Sequence, residues 1–217
     1  MSVPSGPPSP ADIRPKDLVA AAGGVAPVVL EGRRVRLEPL SLGVHWEGLL
    51  AIGTDPDLWK WTINVCDTPE KLRTYLENGL RDQSEGRALP FATRDLVSGE
   101  IAGSTRFGSI DLVNRRVEIG WTWIGRRWQR SHVNTEAKYL MLRHAFETVG
   151  CVRVELKTHA LNTPSRNAIA RIGGKEEGTF RKHMATERGP WRDTTWFSIL
   201  DDEWPAVKAR LEEMLAR

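Results

Sequence analysis

The apolar residues between Val117 and Gly174 hold one period, then another, and the changes mark where elements begin and end. Val117, Ile119, Trp121 and Trp123 alternate with Glu118, Gly120, Thr122 and Ile124, which predicts a strand over Val117 to Ile124 with the first set on one face. The second face carries one carboxylate and two small residues, leaving space against the strand. Val133, Ala137, Leu140, Met141 and Ala145 then recur at helical spacing, and Tyr139, Leu142, Phe146 and Val149 form a second stripe. A long helix covered on more than one side is predicted, with Gly150 suited to its C-terminal cap. Cys151 to Thr158 reads as a second strand, and strand, helix, strand with short links is a parallel unit. Thr163 as cap and Pro164 in the first turn open another helix, which Gly173 ends.

The flanking segments supply the rest of a sheet. Val28 to Leu40 holds two short strand pieces around Glu31-Gly32-Arg33. Ser41 can cap a helix whose Trp46, Leu49, Leu50 and Ile52 face a core, and Thr68-Pro69 opens a second with Leu72, Tyr75, Leu76 and Leu80 in register. Leu89 to Arg94 and Ile101 to Asp111 read as an antiparallel pair, with Gly103 and Gly108 permitting bulges. A long hairpin follows Gly174, turning at Arg188-Gly189-Pro190, and Asp201 and Asp202 are placed to cap a last helix. The expected class is α+β: a mixed, mostly antiparallel sheet with a parallel pair and helices on both faces. The expected organisation is a Pro-, Ser- and Gly-rich disordered tail over residues 1–27 and a single domain over 28–217.

Composition narrows the function classes. A net charge of +3 and a pI near 9.0 suit an anionic cofactor but are too slight to argue for nucleic acid. The nine tryptophans are scattered, with no basic stripe among them, so core and pocket lining is expected over base stacking. No metal-ligand spacing occurs, so no metal is expected. The run Leu18 to Ala26 is weakly apolar and preceded by interleaved acidic and basic residues, and no stretch is long enough to span a bilayer. With only Cys66 and Cys151, a reducing, cytoplasmic setting is expected, with no membrane association.

The candidate chemistry lies around the long helix. Arg126, Arg127 and Arg130 precede its start, Ser131 or Asn134 can cap it, and Glu136 suits its positive first turn. Unpaired N–H groups at such a start seat a phosphate or pyrophosphate. A solvated basic turn ahead of an ordinary helix accounts for the same residues. Glu118, beside Gly120 on the uncluttered strand face, can serve as a base or as a salt-bridged strand residue.

The motifs, in order, resemble the GNAT acyl-CoA N-acetyltransferase superfamily, and within it the ribosomal-protein alanine N-acetyltransferase branch. The superfamily loop reads Q/R-x-x-G-x-G/A; here Gln129-Arg130-Ser131-His132-Val133-Asn134 keeps the glutamine and puts His132 and Asn134 at the glycine positions. Val133 to Lys138, the N-x-x-S of Asn162 to Ser165, Glu176-Glu177-Gly178 and Trp191 to Pro205 also resemble that branch. The resemblance implies a GNAT-like fold and acetyl transfer from acetyl-CoA to an amine acceptor by direct attack. Glu118 would be the base. The main chain near Trp121, Trp123 and Ile124 would meet the thioester and pantetheine, and Gln129 to Asn134 would hold the diphosphate. Asn162 and Asn167 would pair with pantetheine amides. Relatives often carry a tyrosine where Ile169 stands, so Ser165 is the candidate to serve the leaving thiolate. Trp59 and Trp61 fall in the region that shapes the acceptor side. The resemblance also allows a homodimer, and a non-catalytic acyl-CoA-binding module is the alternative.

Overall fold

The computed structural model describes residues 26–217, so the expected tail lies outside the described residues save Ala26 and Pro27. Eight strands form one sheet: β1 (Leu30–Glu31), β2 (Val35–Pro39), β3 (Leu89–Asp95), β4 (Ile101–Asp111), β5 (Arg116–Ile124), β6 (Arg153–His159), β7 (Lys175–Met184) and β8 (Arg192–Leu200). Their order is β1-β2-β3-β4-β5-β6-β8-β7, and every pair is antiparallel except β5 with β6. The helices are α1 (Leu42–Gly53), α2 (Pro69–Ser84), α3 (His132–Arg143), α4 (Thr163–Arg171) and α5 (Trp204–Ala216). A turn of π-helix, His144–Val149, extends α3 to Gly150, whose left-handed φ of 76° closes it.

Each face has its own core. On the back, Val133, Ala137, Leu140 and Met141 of α3, Ile169 and Ile172 at α4 and Val207 and Leu211 of α5 bury Val117, Ile119, Val154, Leu156, Phe197 and Ile199. On the front, Leu49 of α1 and Leu72, Tyr75 and Leu76 of α2 close over Ala92, Ile101 and Trp123. The front helices lie on β3 and β4, so the front of β6, β8 and β7 carries no helix. Cys66 belongs to the front core and Cys151 to the back, and both are free. Among the described residues no helix is long and apolar enough to cross a membrane.

Three local expectations are corrected. Glu136 does not act on its own helix: its buried carboxylate accepts the main-chain N–H groups of Arg33 and Arg34 and pins the β1–β2 turn to α3. Asn162, not Thr163, caps α4, accepting from the Ser165 N–H at 3.2 Å. At α5, Glu203 takes the cap position in place of Asp201 and Asp202, and its carboxylate accepts from the Leu200 N–H.

Candidate functional site

The parallel strands β5 and β6 pair over only three positions, Arg116–Arg153, Val117–Val154 and Glu118–Glu155. Beyond Glu118 they diverge. The edge of β5 from Ile119 to Ile124 then has no strand partner on that side, which opens a groove between the two strands. On its other side β5 carries a bulge: Ser104 pairs Trp123 and Arg106 pairs Gly120, so β5 holds one residue more than β4. Trp121 takes a φ of 50°, and the Tyr75 hydroxyl donates to its carbonyl at 3.3 Å. The bulge corrects the expected alternation. Val117 and Ile119 face the back core, whereas Trp121 and Trp123 pack with the front core. An extra residue reverses the side of every position after it. Gly108 is needed here, because a Cβ on it would run into the Trp121 ring.

Glu118 is the last paired residue, at the vertex of the groove, and is 2% exposed. It accepts from the Ser109 hydroxyl at 3.0 Å, and the Lys157 ammonium reaches it from β6 at 2.8 Å. Lys157 also lies over the rings of Trp196, 4.7 Å away, and Trp121, 5.9 Å away. Arg106 covers the other reach of Trp121 and the Tyr75 ring. The neighbouring acid, Glu155, is held by Arg116 and Arg153. Trp61 stands over His159 with ring centres 5.1 Å apart. Trp59 does not belong to this wall. It is 1% exposed, packs against Tyr75 and Trp123 and donates its indole N–H to the Gly53 carbonyl. A ring sealed in the core has no face for an acceptor, which removes it from the expected acceptor residues.

At the other end of the groove, the turn into α3 is built to present main-chain N–H groups. Arg130 adopts a φ of 59°, the Ser131 hydroxyl donates to the Trp128 carbonyl and accepts from the Val133 N–H, and Gln129 donates back to the Ile124 carbonyl. Val133 buries its side chain, so only its main chain faces the turn; Asn134 is half-buried beside it. His132 Nε2 lies 3.0 Å from Asp95 Oδ1, so the imidazole is tied to the end of β3. The Trp128 indole also donates to Asp95. Burial raises the Asp95 pKa, but hydrogen bonds from Ser98, His132, the Val97 N–H and Trp128 outweigh it and hold it at about 2.

The expected trio of arginines is divided. Arg126 is taken by Asp55 and Asp57, and Arg127 by Glu100. Arg130 instead joins Arg34, Arg171 and Arg217 around a cavity of about 270 Å³ that also touches Ser131, His132 and Thr135. Arg217 pairs with Glu213 and Arg34 lies 3.9 Å from Glu136, whereas Arg130 and Arg171 make no ion pair among the described residues, and guanidinium groups so placed at a helix N-terminus favour an anion. The three added arginines come from distant parts of the chain, and nothing local in the sequence assembles them.

Below the groove, Lys138 is buried on α3 and donates to the Thr122 hydroxyl at 2.7 Å and to Thr105 at 3.3 Å. Burial pulls its ammonium down to about 7, with the Glu118 carboxylate opposing. Thr122 itself is exposed. A lysine within a helix striped apolar on two sides is the sequence signal for this residue. On α4, Ser165 is half-buried, Asn167 is exposed and Ile169 is buried. The Asn162 side chain is spent on its cap.

A splayed parallel pair, a bulged strand and a basic helix mouth together suit a long anionic thioester such as acetyl-CoA. The residues present fit it: an open strand edge for the arm and an arginine-rimmed helix N-terminus for the phosphates. Comparison with known proteins gives the family. The model of the acetyltransferase (GNAT) domain matches residues 34–175. The chain is 29% identical over 161 residues to "Putative ribosomal N-acetyltransferase YdaF" of Bacillus subtilis, covering 73% of this chain and 86% of that one. A GCN5-related N-acetyltransferase from Brucella melitensis superposes with a TM-score of 0.81 at 35% identity, over 88% of this chain and 86% of its own. Mycobacterium smegmatis RimJ, solved in complex with CoA-disulfide, superposes at 0.68 with 25% identity, over 87% and 93%. The chain belongs to the GNAT acetyltransferase family.

Proposed function

We propose that this acetyltransferase moves the acetyl group of acetyl-CoA to a primary amine, with direct attack by the amine at the vertex of the β5–β6 groove. The observation that carries the reading is the divergence of β5 from β6 at Glu118, where a buried carboxylate meets an open strand edge. The thioester supplies an activated acetyl group, and the residues of the chain do the remaining work. Glu118 takes the proton of the attacking amine, directly or through a water. It is preferred to Glu155 because two guanidinium groups hold Glu155, whereas one flexible ammonium and a hydroxyl hold Glu118. Main-chain N–H groups around Trp121 to Trp123, turned by the bulge, stabilise the developing oxyanion, a contribution of about 3 kcal/mol for one well-placed donor.

Arg130, Arg34, Arg171 and the α3 N-terminus bind the phosphates. Asn167 remains a candidate for the pantetheine arm, and Ser165 for the departing thiolate. The acceptor enters between Trp61 and Trp196. A cytoplasmic protein acting on a peptide N-terminus or a small amine suits both this chemistry and the name carried by the Bacillus subtilis relative.

Glu118→Gln tests the base. The variant is expected to bind acetyl-CoA as tightly as the wild type and to lose turnover by about a hundredfold or more. Unchanged turnover would remove Glu118 from the role. Wild-type protein that binds acetyl-CoA yet acetylates no amine in a broad panel would favour the non-catalytic binding module instead.

A further inference from the structure

Eight buried side-chain polar atoms have no hydrogen-bond partner among the described residues, and four of them form one cluster. They are Arg192 Nε, Thr194 Oγ1, Trp196 Nε1 and His183 Nδ1. Arg192, Thr194 and Trp196 are alternate residues of β8, so they share a face. That face is the front: Trp196 pairs in register with Lys157 and Thr194 with His159. His183 comes from β7, 6.0 Å from the Trp196 ring centre, and Phe180 packs against both.

The front of β8 is where no helix covers the sheet, and it runs directly away from Glu118. Buried polar atoms are normally satisfied, because each one left unpaired costs about 1–3 kcal/mol. Four donors and acceptors clustered next to Glu118 offer a ligand the partners it needs. Arg192 Nε and the Trp196 indole can only donate, and Thr194 can donate. Arg192 is 9% exposed and makes no ion pair among the described residues. Glu118 is the acid that acts on this guanidinium, but from beyond ion-pair distance, so a buried cation is left with room for an anion bound directly. Burial, and then the Arg192 charge, holds His159 below the ordinary imidazole range, so it adds no competing positive charge.

The far end of this face is bridged. Glu187, in the β7–β8 turn, donates its N–H to the Ile63 carbonyl and accepts with its carboxylate from the Val65 N–H and Asn64. The bridge joins the hairpin to the loop that carries Trp61 and encloses the strip on that side, which suits a small acceptor.

Resting on the proposed acetyl transfer at Glu118, we infer that the acceptor is a small amine that carries its own carboxylate, as a free amino acid does, with the carboxylate bound by Arg192, Thr194 and Trp196. The amine then meets Glu118 while the carboxylate is held along β8. Lys157, between the two ends, swings off Glu118 or stays as a second contact for the carboxylate.

The test compares three acceptors that share one side chain: the free amino acid, its carboxamide, and a peptide in which that residue is N-terminal. With acetyl-CoA and thiol release as the readout, the free amino acid is expected to exceed the other two by about tenfold or more in kcat/KM. Arg192→Met should remove that margin through KM, and Arg192→Lys should restore part of it. If Arg192→Met does not fold, Thr194→Val with Trp196→Phe applies the same test and should narrow the margin. A carboxamide or peptide acetylated as well as the free amino acid overturns the inference, as does a margin untouched by these substitutions. Calorimetric binding of acetyl-CoA separates the two levels. Binding with no carboxylate preference defeats this inference alone, whereas absence of binding defeats the acetyl-transfer reading beneath it.

Discussion

Lys138 shows how a single buried charge can be costly to the fold. Its ammonium is buried against two threonine hydroxyls, and its ordinary value of 10.5 falls to about 7. The sign follows from where the proton sits. Below about pH 7 the lysine is charged in both states and the native state bears the whole burial cost. Between about 7 and 10.5 the unfolded chain holds a proton that the native state has released, so stability climbs with pH. Above that range the cost is gone. Lys138→Met should therefore raise the melting temperature clearly at about pH 6 and hardly at all near pH 10. Thermal melts at the two pH values check this, and an equal gain at both would contradict it. Glu118 and Lys138 differ in how visible they are. Glu118 stands out in the sequence as the one carboxylate on an uncluttered strand face. Lys157, its ion-pair partner, lies in another strand and becomes its neighbour only through the parallel register.

At the scale of elements, the bulge in β5 and the anchoring of α3 do most to shape the groove. Gly108 leaves room for the Trp121 ring, so Gly108→Val should displace that ring and disturb the bulge. Turnover is expected to fall by more than tenfold while the protein stays folded, which steady-state rates and circular dichroism together would show. A folded Gly108→Val protein with normal rates would mean that the bulge has no part in the chemistry.

Asp95 fixes the α3 mouth through His132 and Trp128, and its pKa lies below its ordinary 3.8, at about 2. A lowered carboxylate stabilises the native state above pH 3.8, and that contribution is lost as the pH falls through about 2. Asp95→Asn should cost on the order of 2 kcal/mol near neutral pH and flatten the acid limb of the stability curve, measured by denaturant titration at several pH values. The periods along the chain read β4, β5, α3 and the parallel pair closely, because alternation and helical spacing are local. The bulge was not legible, since an inserted residue leaves the apolar pattern of Trp121 and Trp123 looking regular. The Glu136 contact to Arg33 and Arg34 was not legible either, because it joins residues a hundred positions apart.

Across the whole molecule, one sheet divides the work between its faces and ends. The back core packs α3 on the sheet, the front helices leave half of their face bare, and the splay between β5 and β6 begins at the acid at its vertex. That layout was largely expected from the order of elements. The arginine ring was not, because Arg34, Arg171 and Arg217 reach Arg130 only once β2, α4 and the end of α5 are packed around α3. The ring also makes the layout measurable. Calorimetric titration of acetyl-CoA into the wild type and into Arg130→Glu with Arg171→Glu tests whether the groove takes a nucleotide thioester. One-to-one binding by the wild type, weakened by added salt and lowered by about tenfold or more in the charge-reversed protein, is the expected result. Absence of binding by the wild type, or binding indifferent to the reversal, would contradict the account.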